Sequence, residues 1–161
     1  MKSKELLAVI LLVLGASDVN ASEPPPYSDM NGKRLSSIEC LAVNLYHESR
    51  SESDFANIAI NTVVFNRVND KRFPDTICGV IFQKSQFSWT GNGLSDTIKD
   101  KAQYERLYRL SESTLLNRDF IIKYSEGINH YHTTTSHPYW SNSRGMVFIN
   151  QVDNHNFYKW K

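Results

Sequence analysis

Between Leu35 and Arg50 the apolar residues recur at steps of three and four: Leu35, Ile38, Leu41, Ala42 and Leu45. That spacing commits the stretch to an α-helix with one face in a core. Ser36, followed three residues on by Glu39, supplies a capping box at its start. Continued at about 100° per residue, the same period sets Glu48 one turn past Leu45, on the flank of the apolar stripe rather than opposite it. A carboxyl half-turned toward a core is where desolvation raises the pKa and keeps the proton on. A general acid needs that state near neutral pH. The competing reading is a solvated helix-end carboxylate that pairs with Arg50 or His47.

The remainder of the chain has to supply one core for that helix. Its 161 residues, 40% apolar and 22% charged, suffice for a single self-sufficient domain. A formal net charge of +1 gives no bulk attraction to nucleic acid or to an anionic membrane. The first residues stand apart. Lys2 and Lys4 precede an apolar run over Leu6 to Leu14 and the small-residue pattern Val19-Asn20-Ala21. This predicts a secretory signal peptide over 1–21, cut after Ala21, with a retained anchor as the alternative. Residues 22–33 contain Pro24-Pro25-Pro26 and read as a Pro-rich linker. The domain proper is 34–161. Export implies a periplasmic, extracellular or cell-wall location and no stable membrane insertion once the leader is cut; a monomer is the expected state.

Within the domain, Ser51 to Asp54 reads as a turn with a cap at Asp54. Phe55 to Val68 then forms a helix buried nearly all round, with Phe55, Ile58, Ala59, Thr62 and Val63 on one side. Phe73-Pro74-Asp75-Thr76 breaks the chain and caps a short helix over Ile77 to Phe82. Gln86 to Trp89 is extended, and Thr90 to Ser95 is a Gly/Asn-rich loop. A further helix runs from Ile98 to Leu116, with Tyr104, Leu107, Tyr108 and Leu115 inward. From Gly127 the pattern alternates, predicting short strands around Met146 to Ile149 and Phe157-Tyr158. Helices first and strands late make an α+β domain.

Cys40 and Cys78 are the only cysteines. In an oxidising compartment they are expected to pair, closing a loop whose chain-entropy effect is about 3–4 kcal/mol, with two free buried thiols as the alternative. His130, His132, His137 and His155 are potential zinc donors, but no His-Glu-x-x-His pair is present. We therefore assign no metal and no cofactor. Ser88 lacks a Gly-x-Ser-x-Gly elbow.

Several stretches, in order, carry a family likeness. They are Glu39 to Ala42, Tyr46-His47-Glu48-Ser49-Arg50, Ala59 to Val68, Arg72 to Ile81 and Gln86-Phe87-Ser88-Trp89. His130-Tyr131-His132, Pro138-Tyr139-Trp140 and Asn154 to Tyr158 continue the series. Over about Ser37 to Tyr158 the chain resembles the cell wall hydrolases typified by the spore cortex-lytic enzyme SleB. The resemblance implies a small lysozyme-like fold, similar also to resuscitation-promoting-factor catalytic domains, and cleavage of peptidoglycan. Spore enzymes of that kind act as lytic transglycosylases. The family's essential glutamate opens a Glu-Ala-Arg-Gly-Glu segment, matched here by Glu48-Ser49-Arg50-Ser51-Glu52, so the resemblance assigns the role to Glu48. Ser49 and Ser51 depart from the pattern. Ser51 replaces a glycine able to adopt positive φ and so bears on the turn after the helix.

The implied chemistry is proton transfer from Glu48 to the β-1,4 glycosidic oxygen after N-acetylmuramic acid. The sugar's own C6 hydroxyl then attacks, with Glu48 as base. Ordinary glycosidases place two carboxylates across the bond, whereas Glu52 and Asp54 read as capping or solvent-facing. Gln86, Ser88, Trp89, Tyr131, His132 and Trp140 are the candidate glycan-groove residues. Asn66-Arg67 reads as a pin between the buried helix and a loop. His155 and Tyr158 divide between supporting the site and plain structure. The alternatives are a muramidase-type hydrolase, a zinc-dependent amidase using the late histidines, and a peptidoglycan-binding module without turnover.

Overall fold

The computed structural model describes residues 34–83 and 97–161. The leader and linker expectations, and those on Gln86, Ser88 and Trp89, lie outside the described residues. Among the described residues, five helices precede a small sheet. They are α1 (Ser37–Ser49), α2 (Asp54–Val68), α3 (Ile77–Phe82), α4 (Lys101–Leu116) and α5 (Arg118–Lys123). The strands are β1 (His130–Thr133), β2 (Met146–Val152) and β3 (His155–Trp160), with a 3-10 turn at Tyr139–Asn142 between β1 and β2. The sheet is antiparallel in the order β1-β3-β2. This is the α+β arrangement expected, helices first and strands late.

α1 starts where the capping box places it. Ser36 Oγ accepts from the Glu39 amide at 3.2 Å, and Glu39 Oε2 accepts from the Ser36 amide at 2.8 Å. α2 is the central element, because it supplies both halves of the core. Val64 and Phe65 pack with Cys40, Leu41 and the α3 residues Ile77, Val80 and Ile81. Ile60 and Val63 pack with Leu45, Tyr46, Leu107, Ile128 and Phe157. That explains its weak amphipathic pattern and its burial on nearly every side.

Three local expectations are corrected. The cap of α2 is Ser53, whose side chain accepts from the Ala56 amide, and not Asp54. Phe55 lies in the first turn and is 79% exposed, outside the reach of the core. The long helix begins at Lys101, capped by Asp100, after Ile98 has already packed beside the second core cluster. α5 has no counterpart in the sequence reading, because its six residues are too few to show a period.

Thr76 caps α3 by accepting from the Gly79 amide at 3.1 Å. A Cβ at Gly79 would sit 2.5 Å from that same oxygen, so the cap requires glycine there. Cys40 and Cys78 join α1 to α3 as a disulfide with a Cα–Cα distance of 5.5 Å. Asn66 Nδ2 donates to the Ile128 carbonyl at 2.7 Å, and Arg67 Nε donates to the Asn129 carbonyl at 2.7 Å. These two bonds pin α2 to the chain entering β1, the structural role read from the sequence. Burial lowers the Arg67 guanidinium to about 10, still charged at neutral pH. Among the described residues no helix is long and apolar enough to cross a membrane.

Candidate functional site

Glu48 occupies the last turn of α1 and is half-buried. The chain after it is tightly held. Ser49 is buried, and its hydroxyl donates to Asn57 Oδ1 at 2.7 Å. Asn57 Nδ2 returns to the Ser53 carbonyl at 2.9 Å. The serine that departs from the family pattern at 49 is thus used as a donor. Ser51 does not adopt positive φ, since among non-glycine described residues only Glu126 and Asp153 do. Its substitution for glycine therefore carries no backbone strain.

From the sheet, Tyr131 on β1 reaches Glu48. Its hydroxyl donates to Glu48 Oε2 at 3.1 Å. Burial, and then the charge of Glu48, push the Tyr131 phenol well above its ordinary range, with Arg67 acting in the opposite sense. Tyr131 therefore keeps its proton and acts as a hydrogen-bond donor. The sheet is held in place for this by its hairpin tip. Asn154 Nδ2 donates to Glu52 Oε1 at 3.0 Å, and Asp153 Oδ2 accepts from the Ser53 amide at 2.7 Å. Asp153 has φ 46° in this turn, a left-handed conformation that aspartate tolerates better than most residues.

Alternation along β1 separates Tyr131 from His132, which the sequence placed in one groove together with Trp140. Tyr131 faces the helices, beside Phe157 and His155, with ring centroids at 5.8 and 5.5 Å. His132, the next residue, points to the other face. There it stacks on Tyr158 at 5.2 Å and meets Trp140 at 5.6 Å. His132 Nδ1 donates to the Thr133 carbonyl at 2.8 Å, so in the neutral ring Nε2 accepts from the Tyr158 hydroxyl at 2.9 Å. Trp140 also touches His130 at 5.3 Å. Glu48 and Tyr131 thus form one constellation, and His132, Trp140 and Tyr158 form another across the sheet.

His130 belongs to the second group, where burial first and then Arg67 and Arg72 lower its pKa to about 4. A folded-state pKa below the ordinary 6.5 means that the unfolded chain binds the proton more readily. This contribution is intact above pH 6.5 and is lost as pH falls through about 4. Urea unfolding at neutral pH and near the lower limit should show a smaller loss in His130→Gln than in the parent. Equal losses would remove the assignment.

The other nearby acids are committed elsewhere. Glu52 clamps the hairpin rather than facing solvent, which sequence alone could not reveal, because Asn154 lies 102 residues on. Asp54 pairs with Arg106. No group of three or more His, Cys, Asp or Glu with metal-holding geometry occurs among the described residues.

A family model described as cell wall hydrolase matches residues 51–158, a span that begins just beyond Glu48. The spore cortex-lytic enzyme of Bacillus cereus is 36% identical over 63 residues, 39% of this chain and 24% of that protein. The spore cortex-lytic enzyme of Oceanobacillus iheyensis is 32% identical over 79 residues, 49% of this chain and 29% of that protein. The chain thus matches over about a quarter of the length of these curated relatives. In fold it is similar to the catalytic domain of the Bacillus cereus SleB protein, with TM-score 0.55, 22% identity and coverage of 84% and 94% of the two chains. The catalytic domain of the germination-specific lytic transglycosylase SleB from Bacillus anthracis gives TM-score 0.55 at 23% identity, covering 84% and 100%.

Proposed function

This chain belongs to the cell wall hydrolase family, and from that premise we propose that it cuts peptidoglycan glycan strands as a lytic transglycosylase. The bond is the β-1,4 link between N-acetylmuramic acid and N-acetylglucosamine. Glu48 gives its proton to the glycosidic oxygen as positive charge develops at the anomeric carbon. The C6 hydroxyl of the same muramic residue then closes on that carbon, and the ionised Glu48 takes the hydroxyl proton. Bonds and protons balance without water, and the product ends in a 1,6-anhydro ring. Tyr131 holds Oε2 and stabilises the carboxylate formed midway.

The observation that carries this reading is the half-buried Glu48 carboxyl held by a phenol, with its described neighbours Glu52 and Asp54 both bonded elsewhere. A hydrolase of the usual kind needs a second carboxylate across the bond. An amidase built on the late histidines would need them to converge on a metal. His132 instead has both nitrogens engaged within the sheet. Gln86, Ser88 and Trp89 are proposed to contact the sugar chain beyond the cleaved bond, whereas His132 and Trp140 pack on Tyr158 across the sheet from Glu48 and are not brought to it. The protein acts as an exported monomer, in the periplasm or outside the cell, and the Cys40–Cys78 disulfide supports an oxidising compartment.

Digestion of purified sacculi, read by mass spectrometry, tests the reaction class. Anhydro-muramic ends are expected. Reducing muramic ends would replace this proposal with hydrolysis, and freed stem peptides would replace it with amidase action. Tyr131→Phe removes the donor to Glu48 and should lower kcat about ten- to hundredfold through loss of positioning, with KM little changed. Steady-state turnover of soluble glycan fragments checks this, and an unchanged kcat would make Tyr131 a packing residue only.

A further inference from the structure

β3 opens on His155, which is 2% exposed. Neither of its ring nitrogens has a hydrogen-bond partner among the described residues. Folded proteins seldom leave a buried polar side chain unbonded, and each such group calls for an explanation. A phenyl ring would fill the same space without desolvating two nitrogens, so packing alone does not account for an imidazole here.

The surroundings supply an account. The His155 ring meets the ring of Tyr131 at 5.5 Å and 67°, an edge contact of the favourable aromatic kind. Tyr131 is the residue whose hydroxyl reaches Glu48. The titratable group in contact with His155 is Tyr131, and the charges of Glu52 from the α1–α2 turn and Asp153 from the hairpin act on it in one sense while His132, across the sheet, acts in the other. Burial outweighs the two carboxylates and holds the imidazole below its ordinary 6.5, so it is neutral at neutral pH.

We propose that His155 is a positioning residue for the Glu48 carboxyl, acting through Tyr131, and that it does so only as the neutral imidazole. The inference rests on the reading of Glu48 as the proton donor. The ring fixes the plane of the Tyr131 phenol and with it the direction of the bond to Oε2. A proton on His155 places a cation behind that phenol. It favours the ionised form of Glu48 and withdraws the proton that the reaction spends.

Three proteins decide the matter: the parent, His155→Phe and His155→Ala, assayed for kcat and KM from mildly acid to neutral pH, with folding followed by circular dichroism. The parent should lose activity as pH falls, while still folded, with a midpoint matching the His155 ring-proton titration by NMR. His155→Phe keeps the wedge and should retain kcat within about threefold at neutral pH, with the acid limb gone. His155→Ala loses the wedge and should fall about tenfold or more in kcat with KM nearly constant. Superimposable pH profiles for parent and His155→Phe would overturn the proposal, as would parental kcat in folded His155→Ala. If the alanine protein does not fold, the phenylalanine profile and the NMR midpoint still decide. Failure of the underlying reading looks different, because Glu48→Gln would then turn over substrate whatever stands at position 155.

Discussion

Replacing Glu48 by glutamine should reduce turnover of peptidoglycan at least about a thousandfold while leaving the protein folded. General acid–base catalysis contributes about 10²–10⁴, and here one residue is asked to serve first as acid and then as base. Glutamine keeps the size of the side chain and an oxygen for the Tyr131 hydroxyl, which donates at 3.1 Å in the native pair. The half-buried position at the end of α1 is otherwise untouched, so the melting temperature should stay within about 2 °C of the parent, as for other near-isosteric changes. Binding to sacculi should persist, because the groove residues remain. Residual turnover within tenfold of the parent would move the chemistry elsewhere.

Removing the disulfide has the largest expected effect on stability. Cys40 and Cys78 are 38 residues apart in the chain, and cross-linking a loop of that length restricts the unfolded ensemble by about 4 kcal/mol in the chain-entropy account. Both residues lie in the core cluster shared by α1, α2 and α3, so a double change to alanine also removes buried sulfur. We expect a loss of about 3–4 kcal/mol, equivalent to roughly 10–20 °C in melting temperature for a domain of this size. Thermal melts of the purified double variant, and of the parent with and without reductant, measure it. The proposed catalytic pair, Glu48 and Tyr131, is joined through α1 and β1 and does not include α3. Residual activity at low temperature should therefore survive. A change of under 1 kcal/mol would mean that the reduced chain is already constrained by its own packing.

The helices are readable because their signals are local. Ser36 and Glu39 announce the start of α1, and α2 announces its all-round burial by carrying Ile60, Val63, Val64 and Phe65 in one short run. Glu48 is legible for the same reason, as one more step along a period. The sheet side of the site is not. Tyr131 and His132 are adjacent, and only a settled strand assignment tells that they part to opposite faces. With β1 placed first, alternation alone splits them. The partner of Tyr131 in the register, Phe157, comes from β3, which follows β2 in the chain but pairs directly with β1. The clamp of Glu52 on Asn154 spans almost the whole domain. No local pattern could announce it, and a glutamate just past a helix reads as solvated until the hairpin tip is seen against it. His155 is hidden in the same way. It stands on the same face as Phe157 and Tyr131 only once β3 is in register.

The most direct test is a crystal structure of Glu48→Gln with a muroglycan oligomer bound. The amide at position 48 should lie within about 3 Å of a glycosidic oxygen on the muramic side, hydrogen-bond reach for proton transfer, with Tyr131 still bonded to it. An oligomer lying instead on the Trp140 face of the sheet, with position 48 touching no sugar, would contradict the account.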